Sequence, residues 1–341
     1  MKKADMIIDL QFGSTGKGLV AGYLAEKNGY DTVINANMPN AGHTYINDEG
    51  RKWIHKVIPN GIVSPNLKRI MIGPGSVFDL DRLRLELNES EDLTDKVQLI
   101  IHPAAVVLQR KHRLAESAAL SGISSTMQGS AAAMIEKIWR QKDKNPTALE
   151  ALKDTEFRES VCSTGGWQKH LAESENILIE GAQGYSLGIN AGFYPYCTSR
   201  ECTPARFLSD CAIPITMLRK VIGTARVHPI RVGNTPNGFS GDCYPDQDEL
   251  TWDELRVDPE TTTVTGRERR VFTFSRTQIE HAIGECQPDE VFLNFCNYDN
   301  DEADYVADAI NGAAGFEVVR YLGFGATRGD VVDLVDVQDE I

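Results

Sequence analysis

Three glycines and a lysine, Gly13, Gly16, Gly18 and Lys17, stand in the stretch QFGSTGKGLV, between the apolar run 6–10 and a segment that reads as helix. At such a strand-to-helix junction the backbone N–H groups of the glycines can point at phosphate oxygens. The N-terminus of the following helix reinforces them, and Lys17 supplies a mobile cation. The competing reading, a tight glycine turn with a surface lysine, fixes three flexible residues with no anion to offset the lost freedom. The loop is not a Walker loop, which needs Gly where Gln11 stands and Ser or Thr where Gly18 stands. It also lacks the dinucleotide order G-x-G-x-x-G. It therefore predicts phosphate chemistry of another kind, with Ser14 as the first side chain beyond Gly13.

Four other stretches carry candidates. In NANMPNAGHT, residues 35–44, His43 lies between Gly42 and Thr44 just past a strand, at the end where open α/β sheets bind ligands. A lone histidine is as often structural as functional; company with the first loop tips this one towards catalysis. Residues 124–129, SSTMQG, put hydroxyls and amides at a helix start, either a second anion cradle or a simple cap. Arg140 lies near that helix's far end. In EGAQGYSLGINAGFYPYCTSRECT, residues 180–203, Gln183 sits between small residues and can approach a base closely as donor and acceptor. Thr198 and Ser199 can meet phosphate there. Finally TTTVTGRERR, residues 261–270, gathers Arg267, Arg269 and Arg270 around a glycine turn. In an acidic chain that predicts a ligand with several carboxylates or phosphates rather than a solvated turn.

These stretches need a scaffold. Short apolar runs alternate with amphipathic segments along the 341 residues, the pattern of an α/β fold: a largely parallel central sheet with helices on both faces and long functional loops. Strands are expected at 6–10, 32–35, 69–72, 97–101, 176–179, 221–227, 290–294 and 317–322. Helices are expected at 20–27, 79–87, 105–120, 131–141, 277–284 and 302–310. Ser275 with Gln278 reads as a capping box. The aperiodic stretches 181–210 and 228–270 are too long for idle connections. No linker or repeat divides the chain, so residues 1–341 are expected to form one domain.

Hydrophobic residues at 41% and charged residues at 25% belong to a soluble globular protein. No apolar run reaches membrane-spanning length, and the first residues turn into strand too early for a secretory signal. Seven scattered cysteines without a C-x-x-C pair read as reduced thiols. A net charge of −14 argues against a nucleic-acid polymer as partner, but not against a mononucleotide, which needs only a few local cations.

In order and spacing, these motifs resemble the adenylosuccinate synthetase family over most of the chain. The family's phosphate loop Q-W-G-D-E-G-K-G-K is here QFGSTGKGL; NAGHT is intact at 40–44 and EGAQG at 180–184. Its TRVGxGP is IRVGNTP at 230–236, and its TTGRxRR is VTGRERR at 264–270. The resemblance implies a ligase that joins a 6-oxopurine nucleotide to L-aspartate, driven by a nucleoside triphosphate. It also implies Mg2+ as cofactor, a homodimer, and a cytoplasmic location (the host cytoplasm for a phage-encoded chain).

By position, the resemblance implies His43 as general acid at the transferring phosphoryl group, Lys17 as charge stabiliser and Gln183 as the residue that holds the purine. Asn40, Ser125, Thr126 and Thr198 join Ser14 and Gln183 at the substrate nucleotide, with Arg140 reaching its phosphate across the dimer. Thr263, Val264, Thr265, Gly266, Arg267 and Arg269 are implied at aspartate. The triphosphate is implied at Gly13, Ser14, Thr15, Gly16, Lys17, Gly18, Gly42, His43 and Thr44, and at Asn294, Phe295, Asn297, Gly323 and Gly325 of the late strands. The metal is implied at Ser14 and the Gly42 carbonyl.

Two departures bear on the substrates. The family has an aspartate after the first glycine of the loop, its general base and metal ligand, lying against the N1–C2 edge of the purine; here that residue is Ser14. A serine hydroxyl is far too weak an acid to be a ready base at neutral pH. It is small and uncharged, however, and leaves room for an exocyclic amine at C2, which suits guanine better than hypoxanthine. Proton removal from N1 then falls to water or to Asp9 on the same strand. Second, where the family reads the guanine of GTP with T-K-x-D, this chain has LNFCNY, with Asn297 at the aspartate's place and Phe295 at the lysine's. An amide can accept from adenine N6–H2 and donate to N1, and phenylalanine can stack on the base, so ATP or dATP is the expected donor. The pair resembles the bacteriophage branch of the family, which condenses dGMP with L-aspartate on the way to 2-aminoadenine DNA. That is the expected reaction. Its rivals are an ordinary enzyme using IMP and GTP, and a nucleotide-sensing switch, which has no use for VTGRERR.

Overall fold

The apolar run near the N-terminus becomes the central strand of the computed structural model, which describes residues 2–141, 143–262 and 265–338. Strand β1 (Ala4–Asp9) is buried along its whole length. Met6 and Ile8 join one hydrophobic cluster and Ile7 the other, as the two-residue period of a strand requires. A strand covered on both faces needs apolar residues on each, hence the unbroken run rather than alternation.

Seven more strands, β2 (Thr32–Asn35), β3 (Arg69–Ile72), β4 (Gln98–Ile101), β5 (Ile177–Glu180), β6 (Leu218–Arg226), β7 (Glu290–Asn294) and β8 (Val319–Gly323), join β1 and the edge strand β9 (Val331–Asp333) in one sheet. The order is β9-β8-β7-β6-β1-β5-β2-β3-β4, and every neighbouring pair is parallel except β8 with β9. Helices Lys17–Asn28 and Leu80–Glu89 cover one face through Leu19, Val20, Leu24 and Leu83. Helices Thr164–Glu173, Pro204–Asp210, Arg276–Cys286 and Asn300–Ala314 cover the other through Trp167, Phe207, Ile279 and Val306. The expected α/β architecture is the one found. No helix among the described residues is long and apolar enough to cross a membrane.

Departures from the expected elements have local causes. The helix expected at 105–120 begins only at Arg110, because Val106–Val107 pairs in parallel with Val77–Phe78 and Gln109 then caps the helix with His112. The Ser275 box is half formed: Ser275 Oγ accepts Gln278 N at 2.9 Å, but the Gln278 amide turns to Ser186 Oγ, also at 2.9 Å. Of the two aperiodic stretches, 181–210 holds the short helix Pro204–Asp210. The other, 228–270, is braced by a small antiparallel sheet of Ile230–Arg231, Glu249–Leu250 and Arg270–Phe272.

Candidate active site

Loops beyond the carboxyl ends of β1, β2, β5, β6 and β7 enclose a cavity of about 550 Å³. This is the crevice where open parallel sheets bind ligands. Among the described residues Lys17, Arg231 and Arg269 line it against one carboxylate, Glu260, in a chain of net charge −14. Cations concentrated at one concave place in an acidic chain favour an anionic ligand there.

The phosphate loop turns through left-handed backbone, with φ of 92° at Gly13, 56° at Ser14 and 85° at Gly16. A Cβ on Gly18 would lie 2.3 Å from the Thr44 carbonyl oxygen, so helix Lys17–Asn28 packs this closely against the His43–Ile46 strand only with glycine there. Asp9 anchors the loop from within. Its Oδ1 accepts Gln11 N at 2.9 Å and Gly13 N at 3.1 Å; its Oδ2 accepts Thr15 Oγ1 at 2.5 Å and Lys17 Nζ at 2.7 Å. Four accepted hydrogen bonds and a fully buried side chain make Asp9 an anchor of the loop, and it does not line the cavity. Lys17 Nζ also donates to the Gln183 carbonyl at 2.8 Å. Thr15 is buried behind the cavity wall, on Asp9 and Thr224.

Ser14 lines the cavity, and its hydroxyl is claimed by Arg269, whose Nη1 donates to Oγ at 2.6 Å. Burial pushes the Arg269 guanidinium down to about 10, against the pull of Glu260 at 4.0 Å. Glu260 takes both Nη atoms of the buried Arg226 and the Tyr298 hydroxyl, the latter at 3.0 Å. Burial raises the Glu260 carboxyl, but the arginines and Tyr298 outweigh it and hold the group below the usual carboxylate range. Arg226 also donates to the Ser14 carbonyl at 3.1 Å and lies 3.8 Å from the centre of the Phe295 ring, which lines the cavity. Asn297 stands exposed at the cavity, and Gly325 lines it. Asn294 Nδ2 donates to the Thr15 carbonyl at 2.7 Å, while its buried Oδ1 has no partner. Gly323 sits behind Asn294, where a Cβ would meet Oδ1 at 2.3 Å, and does not line the cavity.

His43 lines the cavity between Gly42 and Thr44. Its Nδ1 lies 3.4 Å from Glu180 Oε2, and Glu180 Oε1 accepts Gly61 N at 2.7 Å. Gln183 (φ 58°) lines the cavity and contributes a buried Oε1 with no partner among the described residues, an acceptor open to a ligand. A second cluster brings together Asn40, Ser125, Thr126 and Thr198: Asn40 Nδ2 lies 3.4 Å from Thr198 Oγ1, and Ser130 Oγ donates to Asn40 Oδ1 at 3.2 Å. Of the two readings of this helix start, cradle or cap, the amides fit the second, with a carboxylate already on them. Glu116 accepts Gly129 N at 2.7 Å and Ala131 N at 2.5 Å, so hydroxyls rather than helix amides remain for a ligand. Ser199 turns its hydroxyl to Met38 Sδ, away from the cavity.

The arginine loop is divided. Among the described residues, Arg269 alone of those expected at aspartate lines the cavity, with the neighbouring Thr261 and Thr262. Arg267 donates to Thr265 Oγ1 at 3.0 Å and to the Ser125 carbonyl at 3.1 Å. Gly266 makes the turn at φ 65°, and Arg270 pairs with Glu249 outside the cavity. Thr263 and Val264 lie outside the described residues. Arg140 ends its helix in left-handed backbone at φ 55°, exposed and outside its own chain's cavity.

Several residues carried no expectation. Glu180 and Arg231 sit inside stretches already singled out, and Glu260 directly precedes another; a lone charge at a motif's margin is the only signal for them. Arg231 is buried on the carbonyls of Tyr196, Ser240 and Asp242, and burial pushes it down to about 10. Among the described residues no cluster of three or more His, Cys, Asp or Glu side chains could hold a metal. Both expected metal donors line the cavity: the Gly42 carbonyl is an oxygen of the kind Mg2+ takes, whereas the Ser14 hydroxyl would have to give up its contact with Arg269 to serve it.

The adenylosuccinate synthetase family model matches residues 6–164 and 142–299. An N6-succino-2-amino-2'-deoxyadenylate synthase of Vibrio phage phiVC8 is 58% identical over 340 residues, 97% of this chain and 98% of its own. The succinoaminodeoxyadenylate synthetase of cyanophage S-2L, solved bound to dGMP and dATP, matches with a TM-score of 0.90 at 40% identity, over 98% of this chain and 95% of its own. The fully ligated adenylosuccinate synthetase of Plasmodium falciparum shares the fold at 19% identity and a TM-score of 0.77, over 96% of this chain and 99% of its own. A family match across most of the chain, on a sheet whose loops bring the matching motifs round one cavity, means that the chain belongs to the adenylosuccinate synthetase family.

Proposed function

We propose that the chain is a carbon–nitrogen ligase that condenses dGMP with L-aspartate, driven by ATP or dATP, to the succinylated 2-aminoadenine deoxynucleotide. Ser14 carries this reading: a small hydroxyl in the cavity wall where the family has a carboxylate. Asn297 at the place of the family's guanine-reading aspartate supports an adenine donor. The phage relatives named for this product, one of them solved with dGMP and dATP, support both.

A purine 6-oxo group is amide-like and leaves poorly. Loss of the N1 proton and transfer of the γ-phosphoryl group to O6 make it a phosphate ester. The aspartate amine then attacks C6 and phosphate departs. Gln183 offers its unpartnered Oε1 to the guanine edge, and Asn40, Ser125, Thr126 and Thr198 hold the nucleotide's phosphate. With Nδ1 turned to Glu180, His43 keeps Nε2 for the transferring group, while Lys17 balances the developing charge. Arg269 takes the aspartate carboxylates, and the bonded pair Arg267 and Thr265 belongs to the same loop. Mg2+ would be held by Ser14 and the Gly42 carbonyl on the protein side, and would supply charge neutralisation.

A homodimer completes the site. Ile135, Ile138 and Trp139 share one face of helix Ser130–Trp139 and are 46%, 64% and 66% exposed. The helix starts at Asn40, through Ser130, and ends at Arg140 roughly 15 Å away. Two copies packed antiparallel on that face carry each Arg140 to the partner's phosphate cluster. Initial rates test the whole reading, with dGMP or IMP as acceptor and ATP, dATP or GTP as donor. Aspartate-dependent phosphate release from dGMP with ATP or dATP is expected. Turnover confined to IMP with GTP means the ordinary reaction, and binding without aspartate-dependent release means a switch.

A further inference from the structure

We infer that Glu180 is a positioning residue that fixes the tautomer of His43 by accepting its Nδ1–H. The inference rests on the proposed role of His43 at the transferring phosphoryl group. Glu180 closes strand β5 and is 1% exposed on its side chain, and His43 is 7% exposed. The carboxylate faces two donors with its two oxygens: Gly61 N at 2.7 Å on Oε1 and His43 Nδ1 at 3.4 Å on Oε2. No lysine or arginine pairs with Glu180 among the described residues, so the imidazole is the side chain set against its Oε2.

The Gly61 amide is wedged in place. A Cβ on Gly61 would already lie 2.9 Å from Val33 Cγ1 and 3.0 Å from Leu178 Cδ2, so the segment packs closely against β2 and β5 with its amide on Glu180. His55, opposite His43 across the hairpin, is pushed down to about 3 by burial and remains neutral, adding no competing charge. The arrangement has one consequence for the ring. An ionised carboxylate accepts at both oxygens and donates at neither, so it holds the proton on Nδ1. Nε2 is then the acceptor of a neutral imidazole or the donor of an imidazolium, facing the ligand in either state.

Glu180→Gln separates this role from a purely structural one. The amide has one accepting oxygen, which the closely packed Gly61 N–H retains, so its NH2 group faces Nδ1. Two donors cannot share that contact; the ring proton moves to Nε2 and the imidazolium is disfavoured. Long-range 1H–15N spectra of histidine-labelled protein read the tautomer directly. The Nδ1–H form is expected in the wild type and the Nε2–H form in the Glu180→Gln variant. With dGMP, aspartate and ATP, kcat should fall by about 100-fold or more while the KM for dGMP changes less than about threefold. Glu180→Asp, which keeps two accepting oxygens, should recover at least about tenfold of that loss. Unchanged 15N shifts in Glu180→Gln, or a kcat loss that Glu180→Asp matches in full, would overturn the inference. A wild-type enzyme that does not turn over dGMP would sink the proposed function instead, and the tautomer measurement would still decide the role of Glu180.

Discussion

Asp9→Asn separates an anchor from a base. The carboxylate receives Gln11 N, Gly13 N, Thr15 Oγ1 and Lys17 Nζ at 2.9, 3.1, 2.5 and 2.7 Å, with no exposed side-chain area. Asparagine can keep the two backbone amides on its oxygen, but its NH2 group then meets a hydroxyl and an ammonium. Removing one member of a buried ion pair costs about 3–5 kcal/mol. At about 2.1 cal/mol/K per residue, 341 residues unfold with an entropy of about 0.7 kcal/mol/K, so the thermal midpoint should fall by about 4–7 °C. Lys17, left with the Gln183 carbonyl alone, loses the contact that sets its reach, and phosphoryl transfer should slow with it. Calorimetry and initial rates at saturating substrates read the two effects. An unshifted midpoint together with lost turnover and a flattened acid limb of the pH–rate profile would refute the anchor and make Asp9 the proton acceptor.

Three further outcomes follow from the same geometry. Ser14→Asp should not strain the loop, because aspartate tolerates the left-handed backbone that Ser14 occupies at φ 56°. The ratio of kcat/KM for dGMP over IMP should drop about 10- to 100-fold in competition assays, and an unchanged ratio would remove the niche argument. Mixing Arg140→Ala with His43→Ala, each inactive alone, should restore about a quarter of the wild-type rate if Arg140 acts on the partner's site; no recovery counts against the dimer proposed here. Glu260 is held low by Arg226 and its neighbours despite burial, so its stabilisation is present above the unfolded carboxyl value of about 4.3 and fades as pH falls through the folded one. Glu260→Gln should therefore lose less stability than the wild type between pH 5 and 3, each about a point where denaturation midpoints are read; equal acid sensitivity would contradict the assignment.

What could be read in the sequence was what is local. Strands at 32–35, 69–72 and 290–294 lie where expected because strands covered on both faces spell continuous apolar runs. Helix Thr164–Glu173 escaped notice because it begins with Gly165 and Gly166 in its first turn and buries only Trp167 and Leu171, too few residues to mark a period. The cap at Gly16 started its helix at Lys17 rather than 20, a distinction of backbone angle that residue type alone leaves open.

Motif order located the cavity, but its electrostatics come from partners far apart in the chain. Ser14 meets Arg269 across 255 positions and His43 meets Glu180 across 137. Glu116 reaches forward only 13 residues, yet it occupies amides that looked free for a phosphate. The missing carboxylate at position 14 was legible as a single letter; that an arginine would take the serine hydroxyl was not. Its consequence is specific. The Nη1 proton that Arg269 gives to Ser14 is one that a substrate carboxylate would also need. The proposed aspartate site and Ser14 therefore compete for one guanidinium, so the loop residue on which the proposed nucleotide specificity turns is tied directly to the proposed aspartate site.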